Sequence, residues 1–295
     1  MEIRLFKEPE ITNPVLIAGW SGIGGVGVIA VDTLRLATEA ERFAEIAPRR
    51  FVLPTMPVSA GADFLKNADP PTNSFYFHRM AETDLIFFVG QAPPRTPARL
   101  YQTGKLVLDL AEQFQCKRVY IAGAAVSRIH HTANPKVWVT ANQEVLIDEM
   151  RNYPNTVPMS VTQANLGHKR ELFGLNSIVL EDAKRRGLDG TCLLGEIPSY
   201  ISHFPHTPYP KASRPIVEVL ATILGIELDS SQFDDLVVPM EESIDKWVDR
   251  LPPKLRAEID ELREESRPEP TGIGPITEED KQHIMEEVEK FFKKR

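Results

Sequence analysis

Cysteine is nearly absent from this sequence. Only Cys116 and Cys192 occur among 295 residues, and each lies within an apolar, strand-like stretch. So few cysteines exclude a disulfide-stapled scaffold, and a chain of this length can bury a core without covalent cross-links. We therefore expect two buried, unreactive thiols in a reducing compartment, rather than a redox or metal site.

Long hydrophobic runs are also absent. No segment reaches the roughly 18 consecutive apolar residues that a membrane span requires. Charges are scattered through residues 1–11, where a secretory signal peptide would carry an uninterrupted apolar region. We expect a cytoplasmic protein that does not contact a membrane.

The chain has no excess of positive charge. Its formal net charge is −8 and its pI is about 5.5, so the phosphate backbone of a nucleic acid would be repelled. The densest basic groups, at residues 169–170 and 184–186, are short and have no interleaved aromatic residues. Solvated helix faces explain such groups, and we predict no nucleic-acid partner.

Apolar, β-branched runs alternate with helix-period stretches over the first 225 residues. This alternation predicts an α/β fold with a mostly parallel sheet and helices on both faces. The predicted strands are residues 14–20, 42–47, 74–79, 84–90, 118–124 and 191–196, and the predicted helices are residues 26–40, 99–114, 175–186 and 216–224. Two proline-rich segments, residues 54–71 and 203–215, are predicted to be ordered surface loops.

The composition changes near Leu236. Residues 239–295 contain 16 acidic and 11 basic residues, so this last fifth of the chain holds −5 of the net charge. We predict two parts, an α/β core over residues 1–238 and an acidic helical extension over residues 239–295.

Apolar stripes at helical spacing mark the extension. The first stripe is Ile244, Trp247, Val248 and Leu251, the second is Leu255, Ile259 and Leu262, and the last is Ile284, Val288, Phe291 and Phe292. A linker at residues 266–275 separates the second stripe from the last, and Thr277 is a suitable N-cap for a final helix. Short helices are marginal alone, so we expect the stripes to pack on the core or on another subunit.

The sharpest local motif is a glycine turn. Gly22, Gly24, Gly25 and Gly27 include a G-x-G-x-x-G pattern between a predicted strand and a predicted helix, the context of a dinucleotide fingerprint. Glu45 is the acidic residue that could bind a ribose in such a site. The alternative is a tight strand-to-helix turn that needs glycine for steric reasons alone.

Motifs for catalysis or metal binding are weak. Ser21 lies in the same turn, but the nucleophile-elbow pattern G-x-S-x-G breaks at Ile23, and no catalytic residue is predicted. His203 and His206 are separated by prolines that prevent a helix, and adjacent His130 and His131 point different ways in any regular structure. We therefore predict neither a metal site nor a cofactor.

Two polar residues are predicted to follow buried strands. Gln91 comes after residues 84–90, and Glu196 ends the predicted strand 191–196. Open α/β sheets bind ligands beyond the carboxyl ends of their strands, so both residues, with the four glycines, are candidate ligand-binding residues. The alternative is that their side chains only satisfy loop backbone groups.

Together these segments resemble the proteasome assembly chaperone 2 family, whose archaeal and bacterial members are often labelled ATP-grasp superfamily proteins. The resemblance rests on the glycine turn 19–27, the strand and loop 84–93, the stretch 195–200 with the proline loop after it, and the helix 216–224 with the segment 225–229 that follows it. It spans roughly residues 2–238. The order and spacing of these segments are its specific feature.

The resemblance implies an α/β fold similar to phosphorylase and peptidyl-hydrolase-like proteins, and association among subunits. Family members that serve the proteasome dock through a C-terminal hydrophobic-tyrosine-any tripeptide. This chain instead ends Phe291-Phe292-Lys293-Lys294-Arg295, with no tyrosine in the penultimate position.

Two functions are compatible with these observations. The first is a homo-oligomeric, assembly-chaperone-like protein that binds itself or other subunits without catalysis. The second is an ATP- or nucleotide-dependent enzyme similar to carboxylate-amine ligases, or a small-molecule sensor, with its site in the crevice at the carboxyl ends of the strands.

Overall fold

A computed structural model of the chain describes residues 1–47, 72–92, 96–159, 174–202 and 207–266. The predicted loop 54–71, the histidines at positions 203 and 206, and the predicted last helix lie outside these ranges. Within them the chain alternates strands and helices, as its hydrophobic pattern predicts.

The strands are β1 (Glu2–Leu5), β2 (Val15–Trp20), β3 (Glu41–Ala47), β4 (Asn73–His78), β5 (Leu85–Gly90), β6 (Arg118–Ser127), β7 (Val137–Ala141), β8 (Thr156–Pro158) and β9 (Asp189–Pro198). The helices are α1 (Val26–Ala37), α2 (Pro97–Gln113), α3 (Glu144–Met150), α4 (Leu175–Arg185), α5 (Pro210–Leu224), α6 (Asp234–Val248) and α7 (Pro253–Glu265).

All nine strands of the described chain form one sheet in the order β1-β3-β4-β5-β2-β6-β9-β7-β8. The central strands β5, β2, β6 and β9 are parallel to one another. On one side β4, β3 and β1 pair antiparallel, and on the other β7 pairs antiparallel with β9. The sheet is therefore mixed, and the prediction of a mostly parallel sheet was wrong, because short connections such as residues 79–84 make hairpins rather than crossovers.

Helices cover both faces of the sheet, as predicted. One apolar cluster joins the sheet to α1 and α5, and a second joins the opposite face to α2 and α4. All six residues of β5 are buried, which accounts for its uninterrupted apolar sequence. The central strands thus form the middle layer of three.

Several elements differ from the sequence-based prediction. Strands β1, β7 and β8 and helix α3 were not predicted, and β9 extends past Glu196 to Pro198. Helix α5 begins at Pro210, so the end of the predicted loop 203–215 is helical. Pro210 occupies the first turn of α5, where the missing N–H costs no hydrogen bond.

The C-terminal helices α6 and α7 pack against the core. Ile244 and Val248 of α6, and Ile259 and Leu262 of α7, are buried, as the first two stripes predict. Leu255 is 46% exposed and does not pack on the core, so for this residue contact with another subunit stays a prediction. The proposed boundary between residues 238 and 239 falls within α6, and the division into two parts stays a prediction.

Both thiols are buried, which confirms the sequence-based expectation. Burial raises the pKa of Cys116 to about 12 and also raises the pKa of Cys192. Neither thiol ionises at neutral pH, so both are chemically inert in the folded protein. Among the residues that the structure describes, no helix is long and apolar enough to cross a bilayer.

Candidate functional site

The glycine turn lies at the carboxyl end of β2 and begins α1. Gly24 and Gly25 have φ angles of +62° and +61°, in the left-handed region that glycine adopts without strain. A side chain at Gly24 would meet Ile197 at 2.8 Å and Tyr209 at 3.0 Å, and the Tyr209 N–H donates to the Gly24 carbonyl oxygen. Side chains from β9 and the start of α5 therefore fill the space beside Gly24.

Gly27 lets α1 approach the sheet closely. A Cβ at Gly27 would lie 2.3 Å from the Ala122 carbonyl oxygen of β6, and one at Gly19 would lie 2.2 Å from the Gly27 carbonyl oxygen. A Cβ at Gly22 would contact nothing within 4 Å. The positive φ angles of Gly24 and Gly25 and the close backbone packing at Gly27 account for three of the four motif glycines, and a ligand-binding role for the turn stays a prediction.

Gln91 lies beside the glycine turn, on the neighbouring strand end. The Ser21 hydroxyl donates to the Gln91 carbonyl oxygen at 3.1 Å, and the Gln91 N–H donates to the Thr72 carbonyl oxygen at 2.9 Å. The Gln91 side chain is exposed, and its Oε1 accepts a 3.4 Å hydrogen bond from the Thr72 N–H. The structure therefore brings Gln91 and the glycines to the same edge of the sheet.

Glu196 lies elsewhere. Its side chain is buried inside β9, where its carboxylate accepts hydrogen bonds from the Trp138 indole N–H at 2.7 Å and the Lys136 backbone N–H at 3.0 Å. The carboxylate thus binds β7 and the residue before it. Its role as a ligand contact, like that of Gln91, stays a prediction.

Glu45, the possible ribose contact, lies within β3. It pairs there with Arg4 of β1 and forms ion pairs with Arg4 at 3.7 Å and Arg42 at 2.6 Å. In the sheet order β3 is separated from β2 by β4 and β5. Glu45 is therefore three strands away from the glycine turn.

A group of polar contacts surrounds His131, in the loop between β6 and β7. His131 is fully buried, and its Nε2 lies 2.9 Å from Asp245 Oδ1 on α6. Its Nδ1 and its backbone N–H both lie 2.8 Å from the Tyr200 hydroxyl. If Nε2–H donates to Asp245, Nδ1 accepts from Tyr200, and the hydroxyl oxygen accepts the backbone N–H, so one neutral tautomer satisfies every group.

The His131 carbonyl oxygen is bound from α5. It accepts a hydrogen bond from Lys211 Nζ at 2.8 Å, and the Tyr209 hydroxyl lies 3.3 Å from it. Lys211 also forms an ion pair with Glu241 of α6. His131 thus joins the turn after β9, α5 and α6. We call His131, Tyr200, Lys211, Glu241 and Asp245 the histidine cluster.

His130 extends these contacts to α7. Its ring lies 4.0 Å from the His131 ring, between centroids, and its backbone N–H donates to the hydroxyl of Ser266 at 2.9 Å. Arg128, in the same loop, pairs with Glu265 at 3.7 Å. The loop after β6 therefore fixes the position of α6 and of α7.

Burial controls the protonation of this region. Burial, followed by the charge of neighbouring His131, lowers the pKa of His130 to about 4. Burial also lowers the pKa of His131, although Asp245 opposes the shift, and it raises the pKa of Tyr200. Both histidines are neutral at pH 7. Within the described ranges, no three His, Cys, Asp or Glu side chains are grouped as a metal ion would require.

An apolar groove adjoins the histidine cluster. Its volume is about 530 Å³, and its walls come from α1, the residues around the start of α5, and α6. The lining residues are Ile29, Ile201, Thr207, Pro208, Pro210, Leu236, Met240, Ser243, Ile244 and Trp247. Trp247 also stacks on Tyr200 of the cluster, with 6.5 Å between ring centroids. We call this feature the α6 groove.

The chain is similar to known proteins over most of its length. The model of the PAC2 family matches residues 16–248, which include the whole sheet from β2 onward and α6. The chain belongs to the PAC2 family.

Similar proteins come from archaea, among other sources. The uncharacterized protein MJ1210 of Methanocaldococcus jannaschii is 22% identical over 245 residues, which cover 82% of this chain and 86% of the relative. Pyrococcus furiosus PbaB, an archaeal proteasome activator, has a similar structure with a TM-score of 0.67 and 24% identity, over 83% of this chain and 97% of PbaB.

Pyrococcus furiosus PbaA, an archaeal homolog of proteasome-assembly chaperone, matches with a TM-score of 0.58 and 21% identity, over 90% of this chain and all of PbaA. These structures share the PAC2 fold with this chain. The family match confirms the resemblance found in residues 19–27, 84–93 and 195–200.

Sequence reasoning missed the histidine cluster of this PAC2 family protein. His130 and His131 were considered as metal ligands, whereas the structure uses them to join α6 and α7 to the sheet. The partners of His131 lie 69 to 114 residues away along the chain, so no local pattern links them. The spacing of Ile244 and Trp247 indicated an apolar α6 surface, but not which residues would remain uncovered.

Proposed function

We propose that this PAC2 family protein is an assembly-chaperone-like protein that binds other protein subunits through the α6 groove and catalyses no reaction. The structures of PbaA and PbaB support a function connected with the proteasome, so proteasome subunits are the proposed partners. A cytoplasmic location and self-association belong to the same proposal, and two inert, reduced thiols suit that location.

The observation that supports this proposal is the apolar character of the α6 groove. Leu236, one of its lining residues, is 55% exposed. A large apolar side chain that is exposed in an apolar groove indicates an interaction surface, because its burial by a partner releases water. An amphipathic segment of a partner fits such a groove through residues spaced three and four apart.

Charge adds a second requirement on the partner. Helix α6 carries five acidic residues and one lysine, and several of the carboxylates are solvent-exposed. A bound segment with basic residues beside its apolar face would therefore be attracted, with an association rate that depends on salt. The proposed partner surface is apolar with a basic edge.

Direct binding measurements test the proposal. Purified proteasome α-subunits from the source organism of this protein would be titrated with wild type, Met240→Asp and the matched control Val145→Asp. Val145 is 65% exposed on α3 and lies outside the groove, so its variant should bind as wild type does. Met240→Asp places a charge in the groove and should weaken binding at least tenfold.

Equal affinities for Met240→Asp and wild type would contradict the proposed site. Sedimentation of the same three proteins, without a partner, tests self-association. If the groove also joins copies of this chain, Met240→Asp should lower the mass in solution and Val145→Asp should not.

A further inference from the structure

The α6 groove has a regular pattern along one wall. Leu236, Met240, Ile244 and Trp247 are spaced by four, four and three residues, so they follow one face of α6. At 1.5 Å per residue, this stripe is about 16 Å long. A helix of two to three turns could lie against it.

The surroundings of the stripe are acidic. Asp234, Glu242 and Asp245 have side chains that are 61%, 64% and 56% exposed, and Lys246 is the single basic residue of the helix. Groups that lie at the edge of an apolar groove select an occupant of opposite charge.

The last residues of this chain have the complementary pattern. Ile284, Val288 and Phe291 are spaced by four and three residues, Phe292 follows, and the sequence ends in Lys293, Lys294 and Arg295. The spacing predicts an amphipathic helix with an aromatic end followed by three positive charges. These are the anchors and the basic edge that the α6 groove would select.

The last described residue also lies close enough for this segment to reach the groove. Ser266 contacts His130, and successive ring centroids from His130 through His131 and Tyr200 to Trp247 are 4.0, 6.1 and 6.5 Å apart. The groove therefore begins within about 25 Å of Ser266, whereas the 17 residues from 267 to 283 could span more than about 50 Å when extended.

We propose that residues 284–295 occupy the α6 groove of their own molecule and compete with a partner subunit for it. The competition rests on the proposed function, whereas the occupancy of the groove does not. The segment would cover the exposed apolar residues of α6 in the free protein. A partner would then have to displace it, which lowers the apparent affinity for every partner that uses the groove.

Cross-linking of the full chain tests the occupancy. Ser243→Cys lies in the groove, and Glu287 is three residues after Ile284 and four before Phe291 in the sequence, so Glu287→Cys replaces neither anchor. A short bismaleimide should link this pair within one molecule at least fivefold more than the control pair Val145→Cys with Glu287→Cys. The natural cysteines are buried and should not react.

Equal yields for the two cysteine pairs would overturn the inference. A linked product of twice the monomer mass would also overturn it, because the groove would then hold the segment of a second copy. Peptide mapping of the linked product by mass spectrometry assigns the link to positions 243 and 287.

Partner titration tests the competition separately. Phe291→Asp with Phe292→Asp should release the groove and tighten α-subunit binding by about threefold or more, whereas Phe291→Leu with Phe292→Leu should bind as wild type does. Weaker or unchanged binding by the Asp variant would contradict competition. If no partner binds at all, the proposed function fails, while the cross-link still reports on the occupancy.

Discussion

The glycine turn and the histidine cluster lie close together in this protein. They differ in how far apart in the sequence the residues that form them are. The glycine turn has a motif that is visible within six residues, and Gly24 and Gly27 leave room for the Ile197 and Tyr209 side chains and for the Ala122 backbone. The histidine cluster has no sequence motif, and its members come from the loop after β6, the turn after β9, α5 and α6. A conspicuous motif can therefore serve packing, while a dispersed cluster joins whole elements.

The difference also concerns what lies beside each region. The space at Gly24 is filled by side chains of its own chain, whereas the histidine cluster supports an open apolar groove through the Tyr200–Trp247 contact. The position of α6, and with it the shape of the groove, depends on the hydrogen bonds of His131 and Lys211.

The largest effect is expected in the glycine turn. Gly27→Ala places a Cβ 2.3 Å from the Ala122 carbonyl oxygen, so α1 must shift, and we expect a loss of about 3 kcal/mol in unfolding free energy. Gly22→Ala, where a Cβ meets nothing, should change it by less than about 0.5 kcal/mol. Urea unfolding of both variants measures this, and equal losses would show that packing does not explain the turn.

A smaller effect is expected in the histidine cluster. Tyr200→Phe removes the hydroxyl that binds both the ring and the backbone N–H of His131, which leaves buried polar groups unpaired. The unfolding free energy should fall by about 2 kcal/mol. Tyr101→Phe, on an exposed tyrosine of α2, should leave it unchanged. A Tyr200→Phe protein with the unfolding free energy of wild type would mean that the cluster does not fix the position of α6.

Lower pH should destabilise the protein through His130, beside the cluster, and not through the glycine turn. His130 has a folded-state pKa of about 4, below its unfolded value near 6.5, so between these values the unfolded chain binds a proton that the folded chain does not. Stability should therefore fall as the pH drops from 6.5 to 4, by about 1 kcal/mol per pH unit. The flanking charges are Arg263, Asp245 and Asp260, with His131.

His130→Asn should flatten this dependence, while Gly22→Ala should keep it. Unfolding free energies measured at intervals from pH 4 to 7 give the slope. A slope that is the same in wild type and His130→Asn would assign the pH dependence to other groups.

The smallest effect is expected at Gln91. Its exposed side chain accepts one long hydrogen bond, so Gln91→Ala should change the unfolding free energy by less than about 0.5 kcal/mol and leave partner affinity unchanged. A thermal-shift series with nucleotides on the same protein tests the predicted ligand role. A nucleotide that stabilises wild type but not Gln91→Ala would establish a ligand site at the glycine turn.

Much of the fold could be predicted because its causes are local. The uninterrupted apolar run of β5 indicates a strand covered on both faces, and the spacing in α6 and α7 indicates helices that pack on one side. The direction of the strands was harder to predict, although one connection in the sequence indicated it. The predicted strands at 74–79 and 84–90 are separated by four residues, too few for a parallel crossover.

The site could be predicted only in part because its contacts are distant in sequence. The sequence places Glu196 at the end of a strand, where its side chain could contact a ligand. In the structure its carboxylate instead binds Lys136 and Trp138 across the sheet, and the strand β7 that contains Trp138 was not predicted. His131 likewise depends on Asp245, 114 residues later. Tertiary contacts of this kind decide which polar residues face a ligand and which fasten elements together.

Hydrogen–deuterium exchange of the Phe291→Asp, Phe292→Asp variant, whose groove is released, with and without a saturating proteasome α-subunit, tests the central claim that α6 is the binding surface. The proposed mode predicts slower exchange of amides at residues 236–247 on binding and no change at residues 20–27. Slower exchange at residues 20–27 and 91, with α6 unchanged, would contradict it and place the binding surface at the glycine turn.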